Sequence, residues 1–281
     1  MRLPLMRVSF ALAACLVCGI AAADEPTPII PSERIALFNG KDLDGLYTYL
    51  KDTKYEDPRK VFTVENGQLH ISGDGLGAIL TRKAYRNYHL VVEYKWGERT
   101  WGNRTKSTRD SGCLVHCVGD DGAYGGIWPH SIESQIIEGG MGDIILVRGN
   151  GPDGKPLPMS LTAEQTKDRD GERIWKKGAP KEAFESGRLN WWGRDPDWKD
   201  EIGFRGKEDI DNTLTEWTRM DVICDGGHIQ IFIDGVLVNE GFDAVPSAGK
   251  ILIQTELAEL WVRRWDIYPL GKAPKFDAAK K

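Results

Sequence analysis

Short runs of alternating hydrophobic and polar residues recur along most of the chain. The clearest pair is residues 61–65 and 68–72, joined by Asn66 and Gly67, a dipeptide that favours the tight turn between two antiparallel strands. Residues 88–96 alternate in the same way. No long segment has the 3.6-residue period of an amphipathic helix. The pattern therefore predicts an all-β sandwich or jelly roll.

The second half of the chain returns to this pattern after a long interruption. Between about residues 149 and 206 the alternation is weak and Gly and Pro are frequent, so we predict a long middle loop inserted between strands. Further strands, the first three joined by turns of Asp and Gly, are predicted at residues 217–224, 228–233, 236–239, 250–257 and 259–268.

Two central strands have a polar face that marks the candidate site. Residues 112–118 and 131–137 predict strands joined by a Gly-rich, aromatic connection, with a third short strand at residues 144–147. On the second of these strands, Glu133 and Gln135 share one face. Because the core of a sandwich has little tolerance for a carboxylate and an amide side by side, we predict that this face lines water or a ligand.

Two basic side chains are further candidates, and each has a structural alternative. Alternation places His116 on the strand face of Leu114 and Val118, and its ordinary pKa suits proton transfer, although a lone histidine on a strand is more often structural. Arg263 lies in the last predicted strand. A buried ion pair with Glu256 would explain such an arginine without any catalytic role.

Substrate contacts are predicted from amides, a carboxylate and tryptophans. Gln254 and Glu256 share a strand face and suit hydrogen bonds with sugar hydroxyls. Trp128 lies in the connection between the two central strands, and Trp191 and Trp192 lie in a Trp-rich part of the middle segment. Exposed indoles stack on the apolar faces of sugar rings. The alternative is that the tryptophans of the middle segment anchor it to the core.

The N-terminal residues predict export from the cytoplasm. Residues 1–23 combine a basic start, an apolar run and a stretch of alanines, a pattern typical of a secretory signal peptide and too short for a membrane span. An alternative lipoprotein signal would place a lipid anchor on Cys15. Residues 24–34 predict a linker, residues 35–270 a jelly-roll domain and residues 271–281 a polar tail. We therefore expect a periplasmic or secreted protein.

Charge and cysteine content narrow the range of partners. The chain has 37 basic and 42 acidic residues and no Arg-rich tract, so we do not expect a nucleic-acid partner. Cys113 and Cys117 lie on one predicted strand and are too far apart to bond to each other. Either one could bond to Cys224, and the alternative is three buried thiols. No Cys and His cluster has the spacing of a metal site.

Several short motifs, taken in order, resemble the 3-keto-disaccharide hydrolase domain family (DUF1080) of the concanavalin A-like lectin/glucanase superfamily. The resemblance covers most of residues 35–270, and the ordered set is specific although each motif alone is weak. The motifs are Leu-Phe-Asn-Gly-Lys-Asp-Leu at residues 37–43, Asp-Ser-Gly-Cys at 110–113, Glu-Ser-Gln-Ile at 133–136, the strand pair around 225–235, Ile-Gln at 253–254 and Val-Arg at 262–263.

The resemblance implies a concanavalin A-like jelly roll of two antiparallel sheets with a concave face that binds carbohydrate. It also implies action on glycosides already oxidised at carbon 3 of the sugar, so a separate sugar oxidase is an expected upstream partner. The sequence departs from the family pattern at two positions. Asp110 stands where asparagine is common, and His116 stands near where an arginine is common. These departures bear on both the substrate and the catalytic roles.

The chemistry of a 3-keto sugar suggests roles for the candidate residues. A ketone at carbon 3 acidifies the proton on carbon 2, so that a base can remove it, the group on carbon 1 leaves, and water adds to the unsaturated sugar. This route needs a base, an acid and a group that polarises the ketone. We assign these roles to Glu133, His116 and Arg263, with a bound divalent cation as the alternative to the arginine. No residue spacing requires a metal or other cofactor.

Two other functions fit the same fold. A conventional glycosidase needs two carboxylates on one side of the sheet, whereas a regular strand places Glu133 and Glu138 on opposite faces, roughly 16 Å apart. Glu93 or Glu256 would then have to supply the partner. A non-catalytic, lectin-like module would bind sugar without turnover, with platforms formed by Trp128, Trp191 and Trp192.

Overall fold

Two antiparallel β-sheets pack face to face in the computed structural model, which describes residues 27–212, 214 and 216–278. A short 3₁₀ helix spans Gly102–Thr105. The strands are β1 (Ile35–Ala36), β2 (Leu46–Leu50), β3 (Phe62–Glu65), β4 (Gln68–Ile71), β5 (Leu76–Thr81), β6 (Tyr88–Thr100), β7 (Asp110–Val118), β8 (His130–Ile137), β9 (Ile144–Val147), β10 (Ser160–Lys167), β11 (Arg173–Trp175), β12 (Lys181–Phe184), β13 (Gly187–Leu189), β14 (Thr218–Asp225), β15 (His228–Ile233), β16 (Val236–Val245), β17 (Lys250–Glu256) and β18 (Ala258–Pro269).

The predicted signal peptide at residues 1–23 and the alternative lipid anchor at Cys15 lie outside the described residues. Within the described part of the chain, no helix is long and apolar enough to cross a membrane. The described part of the predicted linker, residues 27–34, is attached to the domain. Arg34 makes two hydrogen bonds of 3.0 Å with the carboxylate of Asp266 in β18.

The two sheets differ in size. Among the described residues, the larger sheet has eleven strands, in the order β11-β10-β16-β15-β14-β6-β18-β4-β3, with β1 beside β18 and β12 beside β10. The smaller sheet has seven strands, in the order β13-β9-β8-β7-β17-β5-β2. Neighbouring strands run antiparallel in both sheets. The predicted all-β jelly roll of two antiparallel sheets is confirmed.

The hydrophobic core fills the space between the sheets. Leu90 and Val222 of the larger sheet and Cys113, Ile132 and Ile253 of the smaller sheet are buried within it. The smaller sheet also has a second, smaller apolar cluster on its other face, formed by Tyr49, Ala78, Leu80, Leu114, Trp128 and Leu252. Both faces of this sheet are therefore partly covered.

The predicted turns and thiols agree with the structure. Strands β3 and β4 form the hairpin, and Asn66 and Gly67 at its turn have φ angles of 50° and 77°, as the tight turn requires. Strands β14, β15 and β16 form the predicted meander. Cys113, Cys117 and Cys224 are buried, free thiols, which confirms the thiol alternative over a disulfide.

The middle segment is more regular than its sequence suggests. It contains β10, β11, β12 and β13, so it extends one edge of each sheet: β10 pairs with β16, and β13 pairs with β9. The buried positions of β10 are Leu161, Ala163 and Gln165. Two of these three side chains are not strongly hydrophobic, and the other three strands have only three or four residues, so the alternation is hard to detect.

Candidate functional site

A cleft of about 290 Å³ lies on the face of the smaller sheet that points away from the core. Strands β7, β8, β9 and β17 and the start of β13 contribute to it, together with the connection between β7 and β8. Its volume is close to the lower end of the range for small-molecule sites, roughly 300–1,000 Å³. The polar side chains that line it are Asp110, Glu133, Gln135, Arg188, Gln254 and Glu256.

The alternation of β8 directs two polar side chains into this cleft. Ile132 and Ile136 point into the core, and the hydroxyl of Ser134 between them donates a hydrogen bond to a methionine sulfur of the larger sheet. Glu133 and Gln135 therefore project from the opposite face, where both line the cleft. This is the face that the sequence predicts to meet water or a ligand.

A glycine in the central strand makes room for these side chains. Gly112 lies in β7, between β8 and β17, and pairs with Gln135. A Cβ at this position would collide with Glu133 Oε1 and Gln254 Oε1 and would lie 2.9 Å from Glu133 Cδ. The missing side chain thus lets Glu133 and Gln254 approach each other across β7. Gln254 Oε1 is buried and has no hydrogen-bond partner within the described residues, so it is available as an acceptor.

Three carboxyl groups in the cleft have raised pKa values. Burial raises the pKa of Glu133 well above its usual range, and the carboxyls of Glu256 and Asp110 raise it further. Burial, and then the charge of Asp110, raise the pKa of Glu256 to about 8. Burial raises the pKa of Asp110 only to about 6, because the guanidinium of Arg104 opposes the shift. Of the three carboxyls, Asp110 therefore loses its proton most readily, whereas Glu256 and Glu133 hold theirs to higher pH.

Asp110 is also held by direct hydrogen bonds. Arg104 Nη2 donates to Asp110 Oδ2, and Gln135 Nε2 donates to Asp110 Oδ1 at 2.6 Å. Each carboxylate oxygen retains a further lone pair, so the group can still accept a proton. The sequence marks Asp110 only as a departure from the family pattern, because a single carboxylate at the start of a strand gives no signal of its own.

Arg188 supplies a positive charge at the edge of the cleft. Its Nη1 donates to Asp143 Oδ2 at 3.3 Å, and Asp143 is fully buried and also accepts from Trp191 N at 2.7 Å and from Arg194 Nη1 at 2.9 Å. The charge of Arg188 lowers the pKa of the cleft carboxyls. The sequence does not reveal this residue, because β13 has only three residues and no detectable alternation.

Two aromatic rings border the cleft. Trp128 and Tyr124, in the connection between β7 and β8, have ring centroids 6.3 Å apart and planes inclined by 24°. Trp128 Nε1 donates to Gly77 O at 3.3 Å, which fixes the indole, whereas Tyr124 is 45% exposed. A sugar ring can stack on such surfaces. The structure therefore places Trp128 with the polar candidates.

His116 does not reach the cleft, so its predicted placement was wrong. A β-bulge interrupts the pairing of β7 with β8 after Val115 and reverses the alternation, and His116 adopts a φ of 56°. Its ring is fully buried near Tyr88 in the core, and Nδ1 lies 3.0 Å from Pro246 O. Burial lowers the pKa of His116 to about 4. A neutral imidazole inside the core cannot protonate a substrate.

Arg263 also lies away from the cleft, in β18 of the larger sheet. Its Nε donates to Glu93 Oε2 at 2.7 Å, and its guanidinium stacks over Trp217 at 4.6 Å from the ring centroid. Arg263 is exposed and pairs with Glu93, so the buried ion pair with Glu256 that the sequence suggested as an alternative is not formed. The sequence cannot show which sheet a strand joins, and this choice separates Arg263 from Glu133.

The two adjacent tryptophans of the middle segment have structural positions. Trp191 is buried in the core, and Trp192 is 38% exposed, with its Nε1 donating to Leu237 O at 3.0 Å. Neither side chain lines the cleft. Their predicted role as sugar platforms in the cleft with Glu133 is therefore corrected, and the core-anchor alternative describes Trp191.

Glu138, the other carboxylate considered for a glycosidase, is held in a buried ion pair. Arg109 Nη1 donates to Glu138 Oε1 at 2.8 Å, and the backbone N–H groups of Arg109 and Gly203 each donate to Oε2 at 2.8 Å. Glu138 is thus satisfied away from Glu133. Across residues 27–212, 214 and 216–278, no group of three or more His, Cys, Asp or Glu side chains is placed to hold a metal ion.

Residues 33–267 match the family described as the 3-keto-alpha-glucoside-1,2-lyase-like domain. The chain belongs to this family. The match includes both sheets and the whole cleft, and it confirms the resemblance seen in the short motifs. A 3-keto-alpha-glucoside-1,2-lyase-like domain is a carbohydrate-active, glycosyl hydrolase-like jelly roll.

Several solved structures are similar to this lyase-like domain. A putative glycosyl hydrolase from Parabacteroides distasonis is 17% identical, with a TM-score of 0.48, and the match covers 85% of this chain and 94% of that one. A carbohydrate binding module, CBM66, from Bacillus subtilis is 12% identical, with a TM-score of 0.41 and coverage of 79% and 94%. The β-glucanase of Bacillus licheniformis is 10% identical, with a TM-score of 0.40 and coverage of 83% and 95%. No curated protein matches the chain.

Proposed function

We propose that this protein cleaves 3-keto-glycosides by elimination, with the cleft of the smaller sheet as its active site. The observation that most supports the proposal is the set of three carboxyl groups in the cleft, buried Asp110 and Glu133 and half-buried Glu256, whose pKa values are raised by different amounts. Such a set keeps a base and an acid present at the same pH. Membership of a 3-keto-glucoside lyase-like family supports a substrate with a ketone at carbon 3.

The reaction begins with removal of the proton on carbon 2. Asp110, ionised near neutral pH, takes this proton, and the electrons of the C–H bond form an enolate with its negative charge on the ketone oxygen. The enolate then expels the oxygen on carbon 1, which takes the proton of Glu256. Glu256 then takes a proton from water as the hydroxyl adds to carbon 1 of the unsaturated sugar, and Asp110 returns its proton to carbon 2. The two carboxyl groups regain their first states, and one water is consumed.

Glu133 and Arg188 stabilise the enolate. Because burial raises the pKa of Glu133 and favours its protonated form, that form can donate a hydrogen bond to the ketone oxygen, and the charge of Arg188 stabilises the developing negative charge. Glu133 thus changes from the predicted base to a hydrogen-bond donor. Gln135 and Gln254 remain the proposed partners of sugar hydroxyls, and Trp128 remains the proposed platform.

The assignment of the base to Asp110 is specific to this chain. Asparagine is common in the family at this position, and an amide cannot take a proton from carbon 2. The carboxylate of Asp110 also raises the pKa of Glu133 and Glu256. The presence of Asp110 therefore provides a group that can ionise and favours the protonated forms of Glu133 and Glu256.

We further propose that the protein acts in the periplasm or outside the cell, after a separate oxidase has formed the ketone. The signal-peptide pattern of residues 1–23 supports this location. The N-terminal residue and mass of the protein recovered from the periplasm or culture medium test it. A free N-terminus after residue 23 indicates a secreted form, a lipid on Cys15 indicates an anchored form, and a retained N-terminus contradicts both.

A conventional two-carboxylate glycosidase is the second candidate. The observation that favours it is that Glu256 shares the cleft with Glu133, which meets the condition stated for this alternative. Such an enzyme would cleave the unoxidised glycoside. A lectin-like module would use Trp128 and Tyr124 to bind sugar without cleaving it.

The test compares methyl 3-keto-α-glucoside with its unoxidised parent. Release of methanol and formation of the unsaturated sugar are followed with the purified protein. We expect cleavage of the keto form alone. Asp110→Asn and Glu256→Gln should each lower kcat by about 10²–10⁴-fold, whereas Glu133→Gln keeps a hydrogen-bond donor and should lose about tenfold. Glu185→Gln, whose side chain is 70% exposed, is the matched control and should match the unaltered protein.

The variants also separate the alternatives. A larger loss in Glu133→Gln than in Asp110→Asn would return the role of base to Glu133. Cleavage of the parent glucoside would favour the conventional glycosidase. Binding of either sugar with no cleavage at any pH or with any added divalent cation would leave the lectin-like module.

A further inference from the structure

A second and larger cleft lies beside the first. It has a volume of about 650 Å³ and is lined by the turn that joins β10 to β11, by β13 and by residues 194–198. Arg188 lines both clefts, so the two share a wall. The roles proposed above leave this second cleft without an occupant.

The lining of the second cleft suits an uncharged ligand rich in hydroxyl groups. Positive and negative side chains balance there, and they surround Asn190, which is buried and donates to Glu172 Oε2 at 2.8 Å. Carboxylates accept and guanidinium and amide groups donate, so a hydroxyl finds both kinds of partner. The charged lining residues are Lys167, Arg173, Arg188 and Arg194 on the basic side and Asp168, Asp170, Glu172 and Asp195 on the acidic side.

The Trp-rich stretch contributes one indole to this cleft. Trp198 lines it, with the guanidinium of Arg194 4.5 Å from its ring centroid and its Nε1 donating to Glu138 O at 2.9 Å. The indole is fixed in position and partly exposed. Trp191 and Trp192 line neither cleft. Trp198 is thus the residue of this stretch with the placement that stacking on a sugar ring requires.

We propose that the second cleft is the leaving-group subsite. It binds the group attached to carbon 1, an uncharged and hydroxylated unit such as a second sugar, while the 3-keto ring occupies the first cleft. This inference rests on the proposed function. The bond that breaks then lies near Arg188, which lines both clefts. An apolar aglycone would leave the charged lining of the second cleft without hydrogen-bond partners.

Two substrates and two pairs of variants test the subsite. The values of kcat/KM are measured for methyl 3-keto-α-glucoside and for a 3-keto-disaccharide whose leaving group is glucose. Trp198→Phe should lower the value for the disaccharide about tenfold and leave the methyl glycoside within about twofold. Trp192→Phe is its matched control, because it also removes an indole N–H that donates to a backbone carbonyl, at 3.0 Å. It should change neither value.

A second pair of variants controls for misfolding. Glu172→Gln keeps an acceptor for Asn190 and should reduce kcat/KM for the disaccharide alone. Glu185→Gln should change kcat/KM for neither substrate. Equal losses on both substrates in the two cleft variants, or no loss on either, would overturn the subsite. If the unaltered protein cleaves neither keto substrate, the proposed function fails. Saturation-transfer NMR with free glucose then tests the second cleft by itself: loss of the glucose signal in Trp198→Phe but not in Trp192→Phe supports a sugar-binding site there, and an unchanged signal overturns it.

Discussion

Replacing Gly112 by alanine tests whether the cleft requires the absence of a side chain at this position in β7. The new Cβ would collide with Glu133 Oε1 and Gln254 Oε1 and would lie 2.9 Å from Glu133 Cδ. Because ordinary carbon contacts are about 3.5–4.0 Å, the carboxyl group of Glu133 has to retreat by roughly 1 Å. Gly112 does not have a positive φ, so its backbone conformation is open to alanine.

The expected loss is greater in catalysis than in stability. A displacement of about 1 Å in a group that binds the reacting carbonyl costs about 10²-fold in rate, which is similar to the removal of one donor from an oxyanion hole. Added volume in a packed site costs about 1–3 kcal/mol in the free energy of unfolding. The displaced groups can move into a cleft of about 290 Å³, so we expect the lower end of that range.

The assay measures kcat/KM on methyl 3-keto-α-glucoside together with the free energy of unfolding in urea. Gly97→Ala is the matched control, because a Cβ on Gly97 would press in the same way on the side chain of Glu259, in the larger sheet. We expect similar losses of stability in the two variants and a loss of activity in Gly112→Ala alone. A folded Gly112→Ala protein whose kcat/KM stays within about threefold of that of the unaltered protein would show that the cleft does not require the missing side chain at Gly112.

Three further predictions concern Glu138, Glu256 and His116. Glu138→Ala leaves Arg109 buried without its carboxylate, so urea titration should show a loss of about 3–5 kcal/mol; a loss below about 1 kcal/mol, as for an exposed pair, would contradict the burial of this pair. Folding raises the pKa of Glu256 from 4.5 to about 8, so the folded state binds the carboxyl proton more tightly than the unfolded state does. The contribution of Glu256 to the free energy of unfolding is therefore lost as the pH rises through that range. Glu256→Gln should therefore gain stability relative to the unaltered protein between pH 5 and pH 8, and a constant difference would be inconsistent with the raised pKa. His116→Asn, which tolerates the φ of 56°, should lower stability but leave kcat/KM within about threefold, and a large loss of activity would restore His116 to the site.

The site could be predicted from the sequence only where the strand period was undisturbed. Glu133 and Gln135 on β8, and Gln254 on β17, lie where alternation places them. His116 lies in the core because one bulge shifts β7 by a residue, and a bulge has no reliable sequence signal. Arg188 was missed because its strand has three residues, too few to show a period.

Local patterns in the sequence are enough to predict the all-β fold, the β3–β4 hairpin, the meander and the polar faces of β8 and β17. These features depend on the period of two residues and on turn dipeptides, which are local properties of the chain. The three-dimensional fold sets which strand faces meet. It brought Asp110, Glu133 and Glu256 into one cleft, and it placed Arg263 on the other sheet, because the order of strands depends on contacts between distant segments. Those contacts also set the burial that raises the carboxyl pKa values, so the proposed proton-transfer roles depend on packing as well as on residue type.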